Sequence, residues 1–168
     1  MITQRQLKDL LPLACKWAEE QEDIITRYGV PLSPDQITDA VTIGVEHPEK
    51  VRLLKVTRIS VPVYGGLCTS ADVKQFFSPL AGALTFRYGI FIQADCWGDR
   101  QVVCHELVHT AQYERLGGIK QFLQQYLYEC LTVGYPAAPM EQEAVQMTEK
   151  LCSSSTGKET EAGHATKE

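Results

Sequence analysis

Two histidines and a glutamate occur with the pattern HExxH, at His105, Glu106 and His109. On a helix, residues four apart lie about 40° apart around the axis and about 6 Å apart along it, so both imidazoles can reach one metal ion. A bound metal ion acidifies water, and the carboxylate of Glu106 can accept the proton that the water loses. The spacing therefore indicates metal-assisted hydrolysis, provided that the segment is helical.

The residues around the motif predict that helix, from about Arg100 to Leu116. Four apolar residues follow the i, i+3, i+4, i+7 spacing of one helix face: Cys104, Leu107, Val108 and Ala111. The two histidines fall on a second face, together with Gln112. Asp99 is a suitable N-cap, and Gly117-Gly118 is a typical C-terminal stop. The simpler alternative is an amphipathic helix whose two histidines face solvent.

Beyond the motif, roughly residues 85 to 150 resemble the small gluzincin metallopeptidases. The resemblance is carried by HELVH with Thr110-Ala111-Gln112, by a second helix, and by the Pro-x-Glu-x-Glu-Ala segment at 139–144. In that family the third metal ligand is a glutamate in an E-x-x-A-D pattern on a later helix. The resemblance implies a zincin-like fold in which His105, His109 and Glu141 hold Zn²⁺.

Glu143 is the alternative third ligand. It lies two positions after Glu141 and therefore about 160° away around the same helix, so only one of the two carboxylates can face the metal. Both could instead serve the helix, because acidic side chains in a first turn stabilise its dipole. Val145 stands where the family has an aspartate, so the usual support for the ligands is missing.

A second family offers a different ligand. The segment 65–70 contains Cys68 and resembles the loop of peptide deformylases, in which one cysteine and the two HExxH histidines hold the metal. The Gly-rich segment that this family carries upstream is absent, and Val108 stands where it has an acidic residue. This resemblance implies a deformylase-like amidohydrolase, as the minor alternative.

The gluzincin resemblance implies a zinc metallopeptidase that hydrolyses a peptide or protein substrate. Glu106 would act as general base toward the attacking water and then protonate the leaving amine. A tyrosine often supplies a second electrophile in related peptidases, and four are available: Tyr113, Tyr126, Tyr128 and Tyr135. Tyr135 is favoured because it precedes the Glu141 helix. The alternatives are a metal-binding or protein-interaction module without peptidase activity, and a structural helical domain with a chance HExxH.

Hydrophobic periodicity predicts an α+β domain with a small, mostly antiparallel sheet packed on the HExxH helix. Helices are expected at about 3–28, 34–45, 70–77, 100–116, 120–133 and 141–152. Strands are expected at 51–63 and 83–94, the latter as one strand or as a hairpin around Tyr88-Gly89. By analogy with zincins, Ile90–Gln93 is the candidate edge strand for an extended substrate. The alternative is an ordinary interior strand.

Composition supports a single globular unit. The 168 residues fit one domain, expected at 1–152, with a disordered tail at 153–168 that has almost no apolar content. The net charge of −5 and the lack of a basic stripe argue against a nucleic-acid partner. The N-terminus lacks a signal-peptide pattern and no apolar run is long enough for a membrane span, so we expect a cytoplasmic protein whose six cysteines are reduced.

Overall fold

The computed structural model describes residues 4–60 and 82–153. They form five α-helices: α1 (Gln4–Tyr28), α2 (Pro34–Ile43), α3 (Arg100–Leu116), α4 (Ile119–Thr132) and α5 (Pro139–Ser153). They also form four strands: β1 (Val30–Pro31), β2 (Arg52–Val56), β3 (Ala83–Phe86) and β4 (Gly89–Gln93). The predicted α+β class is confirmed. The predicted helix at 70–77, the loop with Cys68 and nearly all of the C-terminal tail lie outside the described residues.

The four strands form one mixed sheet in the order β1-β2-β4-β3. Strand β2 pairs with β1 in antiparallel and with β4 in parallel orientation, while β3 and β4 form an antiparallel hairpin. The hairpin alternative for residues 83–94 is therefore confirmed, with its turn at Arg87 and Tyr88. The sheet is mixed because β2 and β4 are joined by a long connection rather than by a tight turn.

Of the two alternatives for Ile90–Gln93, the interior strand is confirmed and the edge strand for an extended substrate is wrong. These residues belong to β4, which pairs along its whole length with β2 on one side and hydrogen-bonds to β3 on the other. Ile90, for example, stands opposite both Leu53 and Thr85. An interior strand has no free backbone groups for an added peptide. Within the described sheet, the outer strand on this side is β3.

The sheet is covered on both faces, and this explains why β4 is apolar at nearly every position. On one face, Leu54 and Phe91 pack into a core that α1 and α4 share with Phe86. On the other face, Ile90 and Ile92 pack against α2 and α3. The predicted apolar stripe of α3 lies in this second core, where Cys104, Leu107 and Val108 are fully buried.

Both ends of α3 are fixed in the way that its sequence predicts. The Asp99 carboxylate accepts hydrogen bonds from the backbone N–H groups of Gln101 and Val102, at 2.8 and 3.3 Å. Gly117 ends the helix in the left-handed conformation, with φ of 94°. In the first turn, Arg100 donates two hydrogen bonds to Asp39 of α2, at 2.9 and 2.7 Å. The helix that carries HExxH is therefore anchored before any metal binds.

Cys104 is a core residue. Burial, together with the nearby carboxylate of Asp39, raises the pKa of its thiol to about 12. The thiol therefore stays neutral and packs as a small apolar group. The other described cysteines also carry free thiols: Cys15, Cys96, Cys130 and Cys152. Within the described ranges, no helix combines the length and the apolar character needed to cross a membrane.

The cap of α3 gives a first prediction. Replacing Asp99 by alanine removes the acceptor for two backbone N–H groups, so the free energy of unfolding should fall by about 1 kcal/mol. Asparagine keeps a side-chain oxygen at this position, and Asp99→Asn should lie within a few tenths of a kcal/mol of the wild type. Urea unfolding of the three proteins measures both values. An Asp99→Ala variant as stable as the wild type would show that the cap contributes nothing.

Candidate metal centre

Helices α3 and α5 pack side by side and bring three candidate ligands together. His105 and His109 come from α3 and Glu141 comes from the first turn of α5. Their ligand atoms all lie within 4.8 Å of one another. The two Nε2 atoms are 3.2 Å apart, and each faces one carboxylate oxygen of Glu141 at 3.4 Å. The predicted convergence of both imidazoles on one point is therefore present.

These separations fit a small tetrahedral metal ion. Zinc binds imidazole nitrogen and carboxylate oxygen at about 2.0–2.1 Å, which puts two tetrahedral ligands about 3.3–3.4 Å apart. The two Nε2 atoms, 3.2 Å apart, are close to that spacing, and the Glu141 carboxylate faces them with a different oxygen 3.4 Å from each. Two imidazoles and one carboxylate also form a common donor set for catalytic zinc, which keeps its fourth position open. The three residues could therefore hold a metal ion.

The structure brings Glu141, and not Glu143, into this cluster. The Glu143 carboxylate is bound by the guanidinium of Arg115 at 2.8 Å on each oxygen. It also accepts a hydrogen bond of 2.8 Å from the amide of Gln112. The two glutamates thus point to different sides of α5, as their two-residue spacing requires. Cys68, the ligand that the deformylase resemblance implies, lies outside the described residues.

Tyr126 contacts the cluster directly. Its hydroxyl donates a 2.7 Å hydrogen bond to Oε1 of Glu141, and its ring centroid lies 6.2 Å from that of His109. Tyr113 is directed elsewhere, since its hydroxyl donates to the carbonyl of Thr85. The role of Tyr135 as second electrophile stays a prediction.

Glu106 lies beside the cluster in a buried position, with 3 % exposure. The hydroxyl of Thr85, on β3, donates a 2.6 Å hydrogen bond to its Oε2. This contact fixes one carboxylate oxygen and leaves Oε1 as the oxygen that can take a proton. Sequence reasoning missed Thr85, although one signal was present: it is the single polar residue in the strand Ala-Leu-Thr-Phe.

The surroundings of His109 and Glu141 favour the charged form of each side chain. Burial by itself lowers the pKa of His109, but hydrogen bonding and charge interaction with Glu141 raise it to about 9. Burial raises the pKa of Glu141, yet hydrogen bonds from His105, His109 and Tyr126 bring it well below its usual range. Without a metal ion, His109 and Glu141 therefore form a buried ion pair near neutral pH.

Solvent reaches the cluster on the His105 side. The side chain of His105 is 20 % exposed, against 9 % for His109 and 4 % for Glu141. An amphipathic helix with two solvent-facing histidines does not fit these values. The exposure of His105 instead leaves one side of the cluster open to water, while His109 and Glu141 are enclosed.

Comparisons of the chain with protein-family models, with curated proteins and with solved structures found no match. The chemical assignment of the centre therefore depends on the geometry of its own residues.

The buried pair predicts how the stability of the metal-free protein depends on pH. Because the folded pKa of His109 is raised from 6.5 to about 9, its contribution is complete below pH 6.5 and is lost as the pH rises through 9. Glu141 has a lowered pKa, so its contribution is present above pH 4.5 and is lost in acid. The pair of His109 and Glu141 should therefore stabilise the protein most between pH 4.5 and pH 6.5.

The variant His109→Gln cannot form the ion pair with Glu141 and therefore serves as the reference for the wild type. With a chelator present, urea unfolding of both proteins gives the difference in unfolding free energy at each pH. That difference should be largest near pH 6 and should shrink steadily toward pH 9 and above. A difference that does not change with pH would contradict the ion pair.

Proposed function

We propose that this protein is a zinc-dependent metallopeptidase of the gluzincin type, built on a small zincin-like domain. One observation carries the proposal: one ligand atom from each of His105, His109 and Glu141 lies within 4.8 Å of the other two, close enough for the three residues to share one metal ion. Glu106, the residue that would act as general base, lies on the same helix as the two histidines, and its carboxylate is held by Thr85. The zincin-like fold and the choice of zinc belong to this proposal.

The composition of the cluster supports a catalytic rather than a structural metal. Structural zinc sites use four protein ligands and are rich in thiolates, whereas catalytic sites use three protein ligands and leave one position for water. Two histidines and one glutamate make up the described cluster, and it is accessible to solvent beside His105. Glu141 in the third position also supports the gluzincin alternative over the deformylase alternative.

Each residue of the site has a defined part in the proposed reaction. Zinc, when bound, would supply a Lewis acid that acidifies water and polarises the peptide carbonyl. Glu106 accepts the proton of the attacking water and then delivers it to the leaving amine. Thr85 keeps Oε2 of Glu106 fixed, so that Oε1 carries the proton. Tyr126 holds the Glu141 carboxylate against the two histidines.

Strand β3 is the better candidate for substrate binding now that β4 is known to be interior. It is the outer strand of the described sheet, and it carries Thr85 next to Glu106. An extended peptide added to an exposed sheet edge is held by main-chain hydrogen bonds. A peptide bound along Ala83–Phe86 would therefore run past the general base.

The ligand assignment can be tested by metal content. Untagged wild-type protein should contain about one zinc per chain by plasma mass spectrometry, because the three ligands form one site. His109→Ala and Glu141→Ala should each lose most of it. Glu149→Ala removes an exposed glutamate from the same helix as Glu141 and is the matched control, with unchanged zinc.

Cys68→Ser separates the two families that the sequence resembles. It should retain the full zinc content if Glu141 is the third ligand. Zinc loss in this variant, with retention in Glu141→Ala, would replace the gluzincin assignment by the deformylase-like one. A wild-type protein that binds no zinc, even when zinc is offered and the free ion is then removed, would end the metal-enzyme proposal.

The general base gives a separate test of hydrolysis. Glu106→Gln should keep its zinc but lose peptide cleavage by a factor of about 10²–10⁴, because the amide cannot accept the proton of the water. Cleavage of a peptide library, followed by mass spectrometry, compares this variant with the wild type and with Glu149→Gln. Undiminished turnover in Glu106→Gln would contradict the peptidase mechanism. Zinc binding without cleavage by the wild type would favour a metal-binding module.

A further inference from the structure

Gln112 is a fully buried polar residue, with 0 % exposure, one turn after His109 on α3. Its side-chain oxygen lies 2.8 Å from Nδ1 of His109. Its side-chain nitrogen donates to the carbonyl of Met140 at 3.0 Å and to the carboxylate of Glu143 at 2.8 Å. The amide therefore contacts His109, a proposed metal ligand on α3. It also contacts the backbone of Met140, which directly precedes the proposed ligand Glu141 on α5.

The partners of Gln112 fix the orientation of its amide. The carbonyl of Met140 can only accept hydrogen bonds, and the Glu143 carboxylate, bound on both oxygens by Arg115, is ionised and also only accepts. The NH₂ group of Gln112 must therefore face these two acceptors. Its oxygen is left to face the ring of His109.

The orientation of the amide in turn fixes the protonation of the imidazole. An amide oxygen only accepts, so Nδ1 of His109 must carry the hydrogen in their 2.8 Å contact. In the neutral ring the lone pair is then on Nε2, the nitrogen that faces His105 and Glu141. The ring is held in the tautomer that can bind a metal ion at the centre of the cluster.

We propose that Gln112 is the positioning residue of the metal centre, selecting the metal-binding tautomer of His109 and setting the distance between α3 and α5. The Arg115–Glu143 ion pair keeps the amide in place from the other side. This inference rests on the metal site proposed above. Val145, at the position where the family has an aspartate, is 36 % exposed, and Gln112 and Glu143 support the ligands in its place.

Zinc affinity tests the proposal without reference to peptidase activity. Loss of a residue that orients a metal ligand weakens binding by about 10- to 100-fold, and this is the expected effect of Gln112→Leu. Gln101→Leu changes an exposed glutamine on the same helix and should bind zinc as the wild type does. Competition with a chromophoric chelator gives the three dissociation constants.

Thermal unfolding distinguishes positioning from simple bracing of two helices. A residue that only braces α3 against α5 would lower the unfolding temperature of the metal-free and zinc-bound forms alike. A positioning residue also reduces the increase in unfolding temperature that zinc produces, because that increase depends on zinc affinity. Gln112→Leu should therefore show a smaller zinc-induced increase than Gln101→Leu at the same zinc concentration.

A measurement on the wild type covers the case in which Gln112→Leu does not fold. The imidazole ¹⁵N spectrum of the zinc-loaded protein should show His109 protonated on Nδ1 and bound to the metal through Nε2. Protonation on Nε2 with the metal on Nδ1 would overturn the proposal. A folded Gln112→Leu variant whose zinc affinity is within about twofold of the wild type would also overturn it, because the expected loss is much larger. In both cases His109→Ala still lacks zinc, so the proposed metal site is retained. A wild type that binds no zinc would overturn both the metal site and the role of Gln112.

Discussion

The carboxylate of Glu141 is buried between two helices, and the site depends on how that charge is compensated. Moving an unpaired carboxylate out of water costs several kcal/mol, on the order of the stability of a small domain. Here two imidazoles and the hydroxyl of Tyr126 surround it. In the metal-free protein the compensating charge is a proton on His109, and in the proposed holoprotein it would be the metal ion. The same arrangement thus stabilises the fold and holds the candidate ligands in place.

Helix α3 can present these ligands because it is buried on two sides. One side carries the apolar residues Leu107 and Val108 into the core beneath the sheet. The other side carries polar groups toward α5, where His109 and Gln112 have little contact with water. Buried polar groups need partners, and each of these two has one or more within hydrogen-bond distance. A polar network of this kind holds the side chains in one arrangement, which is what a site of defined geometry requires.

The parts of this arrangement that could be predicted are those with a local cause. The bounds of α3 follow from Asp99 and Gly117, whose capping contacts lie within a few residues of the helix ends. The position of the hairpin follows from the polar turn between two apolar runs. The two-residue strand β1 was missed because a pair of residues has no periodicity. The sequence leaves the edge and interior positions of β4 open, because a strand with both faces buried has the same composition in either position.

The sequence by itself determined the HExxH helix, its apolar and polar faces, the α+β class and two alternative glutamates for the third ligand. The tertiary structure alone decided that Glu141 faces the histidines, that Thr85 holds the carboxylate of Glu106 and that Gln112 bridges two helices. Thr85 is 21 residues from Glu106, and Gln112 is 28 residues from Met140. An α-helix has 3.6 residues per turn, so a helix with one buried face has apolar residues at that period in its sequence. Contacts between residues so far apart in the sequence depend on how complete helices and strands pack together. The local pattern of apolar residues contains no information about that packing.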